Sequence, residues 1–98
     1  FRSFDAEGGR GGSVTVSFYT CPPYCGATAS GVLVFYGAAA CDPAYLGRAF
    51  LLNGERWTCL DTGSEVWGDH VDLWMPDSDT GWAYLQRYGT RGVIQWVE

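Results

Sequence analysis

Ninety-eight residues are enough for one domain, and a chain of this size buries too little surface to be stable with much to spare. Hydrophobic residues make up 47% and charged residues only 17%, so the chain has the apolar mass to pack and does not have a disordered composition. Eleven acids against six arginines and no lysine give a net charge of −5 without a basic cluster. This argues against nucleic acid or an anionic membrane as partner and fits a neutral or cationic ligand such as a polysaccharide.

The first twelve residues, ending in Glu7-Gly8-Gly9-Arg10-Gly11-Gly12, read as a flexible glycine-rich tail, which leaves 13–98 as the folded domain. Val14, Val16 and Phe18 alternate with Thr15, Ser17 and Tyr19, the period of a half-buried strand. Cys21-Pro22-Pro23-Tyr24-Cys25-Gly26 is a loop, because two prolines remove donors and fix φ. Val32–Tyr36 reads as a second strand, too apolar for an edge, and Ala38–Cys41 as a third, stopped by Asp42-Pro43. The apolar run Val32–Cys41 is only ten residues long and holds Gly37, which is too short for a membrane span.

Phe50-Leu51-Leu52 leads into Asn53-Gly54, a hairpin-turn dipeptide, and Arg56–Leu60 returns as its partner strand. Val71–Leu73 is another short strand. Ser78, Asp79 and Thr80 are candidate caps of one helix over 81–88, with Trp82 and Leu85 as its buried stripe and Gly89 as its stop. Gly92–Val97 is the last strand. The pattern predicts a mainly β fold, a small closed barrel with one late helix, and no second domain.

Cys21, Cys25, Cys41 and Cys59 form an even set, which fits two disulfides and an oxidising compartment. Of three possible pairings, Cys21–Cys25 with Cys41–Cys59 is favoured. Four thiolates could instead hold zinc, but zinc knuckles come as two close pairs, whereas here one pair is close and two cysteines are isolated. No metal or other cofactor is expected. A chain that opens at Phe1 with no methionine and no signal-like segment fits a mature or trimmed form of a secreted protein.

Three groups of residues could carry chemistry. Asp42 and Asp61 end strands and Asp72 lies within one, so the three carboxylates could converge at one rim. Clustered carboxyls raise one another's pKa, as an acid that protonates a glycosidic oxygen requires. The plainer reading is that Asp42 and Asp61 cap turns. Asp61-Thr62-Gly63 is also the aspartic-protease tripeptide, but it falls too late in the chain and lacks the second element such proteases carry. His70, between acids, is a candidate base or a turn residue; a serine triad is disfavoured because there is no nucleophile elbow. Among the aromatics, Trp67 lies between Asp61 and Asp72 and is a candidate platform for a sugar face, while Trp57, Trp74, Trp82 and Trp96 fall within strands or the helix and are expected in the core.

Ala39-Ala40-Cys41-Asp42-Pro43, Leu46-Gly47, Leu60-Asp61-Thr62-Gly63, Val66-x-Gly68 and Val71-Asp72-Leu73, in this order, resemble the "3D" domain, a family named for three aspartates. The opening strand around Thr15–Tyr19 and the segment Thr28-Ala29-Ser30-Gly31 resemble that family too, so the likeness covers about residues 14–97. Asp61 and Asp72 are eleven positions apart, as the family's last two aspartates are. The resemblance implies a six-stranded double-psi β-barrel. It also implies a lytic transglycosylase that cleaves the MurNAc–GlcNAc bond of peptidoglycan, leaving 1,6-anhydro ends.

On that resemblance Asp72 is the acid/base, Asp42 and Asp61 assist it, and Thr28 and Thr62 line the sugar site; Gly63, Trp67 and His70 are further candidates for that site, in what is expected to be a monomeric, cell-wall-directed protein. Ala44-Tyr45-Leu46-Gly47 lacks the family's proline, Ser64 replaces a glycine, and Trp67 stands where a basic residue is common. Expansins and some inverting endoglucanases share the barrel, and His70-Val71-Asp72-Leu73 resembles the expansin His-Phe-Asp-Leu. A non-hydrolytic wall-binding module and a glucanase are therefore the alternatives.

Overall fold

The computed structural model describes residues 11–97. Six strands close into a mixed barrel: β1 (Gly11–Thr20), β2 (Ala38–Ala40), β3 (Ala49–Leu52), β4 (Glu55–Asp61), β5 (His70–Met75) and β6 (Arg91–Val97). A single α-helix, α1 (Ser78–Tyr88), lies between β5 and β6, and a 3₁₀ turn, Pro43–Tyr45, follows β2. This is the closed β-barrel with one late helix that the sequence pattern predicts, with the six strands that the resemblance implies.

Around the barrel the order is β1-β5-β2-β4-β3-β6. Two pairs are parallel, β1 with β5 and β2 with β4, and the other four are antiparallel. Exchanging β1, β2 and β3 for β4, β5 and β6 swaps the two parallel pairings, swaps β1–β6 with β3–β4, and returns β2–β5 and β3–β6 to themselves. The barrel thus has two topologically equivalent halves, and every ladder joins a strand of one half to a strand of the other. This is the interleaving of a double-psi barrel.

Alternation explains β1, whose Val14 and Val16 point into the core while Ser17 and Tyr19 face outward. The core is filled by Phe50, Leu52, Trp57, Val71, Leu73 and Met75, all essentially inaccessible to solvent, with Trp96 and Ile94 from β6. Asn53 (φ 53°) and Gly54 (φ 81°) form the expected hairpin turn, both in the left-handed region that a type I′ turn needs. The disulfides pair as expected, Cys21 with Cys25 and Cys41 with Cys59. The second joins the end of β2 to β4 within the core, where both cysteines are fully buried.

Four expectations need correction. Residues 1–10 of the expected tail lie outside the described residues, but Gly11 and Gly12 already belong to β1, paired with Gln95 and Ile94. Val32–Tyr36 is not a strand. It makes only isolated bridges, and Leu33 is 68% exposed, because a closed barrel has no free edge for a seventh strand.

The helix starts at Ser78, capped by Asp77, whose carboxylate accepts from the Thr80 N–H at 2.7 Å. Its buried residues are Gly81 and Tyr84, while Trp82 is 63% exposed. Gly81 decides this phase. A Cβ there would run into the Phe18 ring, so only glycine lets α1 lie directly on β1.

Candidate active site

Four strands carry one row of residues across the outside of the barrel. Ser17 of β1 is in register with Asp72 of β5, Asp72 with Ala40 of β2, and Ala40 with Asp61 of β4. The last step depends on an irregularity. Ala39 is opposite Cys59, but Ala40 is opposite Asp61, so Leu60 is an extra residue in β4 and the bulge presents the aspartate instead.

A cleft of about 330 Å³ opens over this row, lined by Tyr19, Tyr24, Ala27, Ala40, Asp61, Thr62, Gly63 and Asp72. Ala40 is its floor and stands between the two carboxyls. With β2 between their strands, the two aspartate backbones are roughly 9–10 Å apart.

The two carboxyls differ in surroundings. Asp61 Oδ1 accepts from the backbone N–H of Ala29 (2.9 Å) and Thr62 (3.0 Å), and Oδ2 accepts from the Tyr19 hydroxyl at 3.1 Å. Three donors thus converge on this one side chain. Burial is the main influence on Asp72 and pushes its pKa up. The Ser17 hydroxyl, donating to Oδ1 at 2.8 Å, and His70 oppose that rise, and the charge of Asp61 adds to it. Burial, then Asp61, also drives the Tyr19 phenol upward, so Tyr19 serves here as a neutral donor.

The wall opposite is built by the 21–37 loop. Cys21–Cys25 closes a short ring around Pro22, Pro23 and Tyr24. Trp74 Nε1 donates to the Tyr24 carbonyl at 2.9 Å, and the Tyr24 ring meets Tyr19 edge-on at 5.5 Å. The same loop is tied to the end of β4 through Ala29 N–H to Asp61 and Ser30 N–H to the Leu60 carbonyl at 3.0 Å.

Of the residues singled out from the sequence, Asp61, Thr62, Gly63 and Asp72 line the cleft together. Asp42 does not. Its Oδ1 accepts from Ala44 N–H (2.9 Å) and its Oδ2 from Gly68 N–H (2.8 Å), so it caps the 3₁₀ turn and pins the 62–69 loop. Thr28 is buried and its hydroxyl donates to the Val32 carbonyl at 2.8 Å, while its neighbour Ala27 reaches the cleft. Trp67 is 60% exposed outside the cleft, with Nε1 donating to the Ser64 carbonyl at 2.9 Å. His70 lies two residues before Asp72 on the same face of β5 and meets Ser17 Oγ at 2.7 Å.

Ser17, Tyr19, Tyr24 and Ala40 escape a reading of the sequence. The alternation in β1 does place Ser17 and Tyr19 on the face opposite Val14 and Val16. Only the parallel register of β1 with β5 identifies that face as the one carrying Asp72.

Disulfide-bonded cysteines are at home in oxidising compartments. Among the described residues no helix is long and apolar enough to cross a membrane. No family model, curated protein or solved structure matches the chain.

Proposed function

We propose that this domain is a peptidoglycan lytic transglycosylase acting outside the cytoplasm, with Asp72 as its acid/base. The observation that carries the reading is the contrast between two carboxyls over one cleft, Asp72 raised by burial and Asp61 held by three donors. Two such environments are what separate an acid from an anionic stabiliser in glycoside cleavage. The resemblance to the three-aspartate domain supports the choice of substrate, and the two disulfides support a location outside the cytoplasm.

In this mechanism Asp72 protonates the glycosidic oxygen and Asp61 stabilises the positive charge that develops on the ring. The nucleophile is the sugar's own C6 hydroxyl, already held close, so no second catalytic carboxylate has to activate a water. Asp72 then takes the C6 proton and returns to its starting state. Ala40, Gly63 and Ala27 leave room for the ring, and Tyr24 offers it an aromatic wall.

A second reading, inverting hydrolysis, draws on the roughly 9–10 Å between the Asp61 and Asp72 backbones, which leaves space for a water. Wall binding without turnover, on the expansin pattern, draws on exposed Trp67. Incubation with purified sacculi and mass spectrometry of the products separates the three. Anhydro ends are expected; new reducing ends identify a hydrolase, and an unchanged glycan identifies a binder.

A further inference from the structure

We infer that Ser17 and His70 form a proton relay behind Asp72, which holds one shared proton within reach of that carboxyl. The inference rests on the assignment of Asp72 as acid/base for its role in turnover, and on geometry alone for its existence.

Three contacts run in line: His70 Nδ1 to the Glu65 carbonyl at 3.0 Å, His70 Nε2 to Ser17 Oγ at 2.7 Å, and Ser17 Oγ to Asp72 Oδ1 at 2.8 Å. A carbonyl can only accept, so Nδ1 carries a hydrogen. Ser17 has one hydrogen to give and a neighbour on each side.

Two arrangements satisfy all three contacts. In one, an imidazolium donates to Ser17 and Ser17 donates to a carboxylate. In the other, a carboxylic acid donates to Ser17 and Ser17 donates to a neutral imidazole. They contain the same atoms, the same number of protons and the same net charge. They interconvert when the Nε2 hydrogen moves to Ser17 Oγ as the Ser17 hydrogen moves to Oδ1. Removing the shared proton leaves Ser17 with one hydrogen for two acceptors, so one contact must fail. The geometry therefore favours keeping that proton on the trio.

Other charged or titratable groups surround it. Asp61 faces Asp72 from the end of β4, and Tyr19 lies on β1 with its hydroxyl on Asp61. Glu65 and Asp69 belong to the loop before β5. Arg91 of β6 donates to Thr15 Oγ1 at 2.8 Å, and Thr15 is in register with His70. From β2, only alanines pair with β5.

The consequence is a direction that distinguishes a relay from a purely electrostatic role. If Ser17 and His70 only stabilise the carboxylate, deleting either frees Asp72 to keep its proton to higher pH, and the alkaline limb of activity moves up. A relay makes the opposite demand. Deletion removes the store that keeps Asp72 supplied, so the limb moves down by about one pH unit or more, as expected for strongly coupled groups.

Ser17→Ala and His70→Gln are the deleting variants, and Ser17→Thr, which keeps the hydroxyl, is expected to restore the wild-type limb. Side-chain ¹⁵N NMR of His70, recorded without substrate, reads the relay independently of turnover. The shared proton should be lost from His70 at lower pH in Ser17→Ala, which keeps both charges and removes only the link between them, than in the wild type. An upward limb, or His70 signals indifferent to Ser17→Ala, overturns the relay. A wild type that is inactive on sacculi but keeps the NMR coupling overturns the transglycosylase assignment and leaves the relay standing.

Discussion

Asp61 and Asp72 share one neighbour, Ala40, which is in register with the first across a parallel ladder and with the second across an antiparallel one. Two carboxyls on strands that do not pair with each other are thereby placed over one cleft, with a methyl group as its floor. Enlarging that floor should be felt by a ligand before it is felt by the fold. Ala40→Val is expected to weaken binding of a muropeptide at least tenfold, with a stability cost of about 1–3 kcal/mol. Calorimetric titration beside thermal unfolding checks both.

Asp72→Asn keeps the shape of the side chain and lets Ser17 go on donating to it. Turnover on sacculi should fall on the order of 10²-fold or more. Asp61→Asn should cost less.

Stability should respond in the opposite sense. Because burial raises the folded pKa of Asp72, its favourable contribution is complete below the unfolded value of about 3.9 and is lost as pH rises through the folded value. Asp72→Asn escapes that loss. Its melting temperature should therefore gain on the wild type as pH rises across that window and level off above it. Calorimetric melts from acid to neutral pH check this, and a constant difference would contradict the burial argument.

The two disulfides close loops of very different length, with sequence separations of 4 and 18. On chain entropy alone, losing Cys41–Cys59 should cost about 3 kcal/mol and losing Cys21–Cys25 about 2 kcal/mol. Function should rank them the other way in proportion to stability lost, since the short ring fixes Tyr24 at the cleft. Double serine variants, compared by urea unfolding and by glycan binding, give both rankings.

Gly81→Ala should destabilise the protein although alanine is the better helix former by about 1 kcal/mol. The added methyl meets the Phe18 ring, and overpacking of this kind costs about 1–3 kcal/mol. Urea unfolding of Gly81→Ala should give a midpoint below that of the wild type. A midpoint at or above wild type would mean that Phe18 turns aside freely.

What the sequence made legible was local. The alternation in β1, the Asn53-Gly54 turn, the terminal strand and the stop at Gly89 all follow from a few neighbouring residues. The errors arose where a partner decides. Leu85 does pack against the core, but Trp82 stands three residues from it just as Gly81 stands three from Tyr84, so periodicity alone could not choose the phase that Phe18 imposes. Val32–Tyr36 is apolar enough for a buried strand, but burial needs a vacant place in a sheet and the barrel has none. The cleft is still less local. Asp61 reaches it through a bulge, and Ser17 meets Asp72 through the register of strands more than fifty residues apart.

The interleaving of the halves bears on how the chain can be born. During synthesis β1, β2 and β3 emerge first, and not one of the six ladders can form among them. The nascent N-terminal half has to wait, with its alanine strand and the apolar 32–36 segment uncovered, until β4 and then β5 leave the ribosome. Cys41 spends that interval without Cys59, so the bond that later lies in the core must close after the second half arrives.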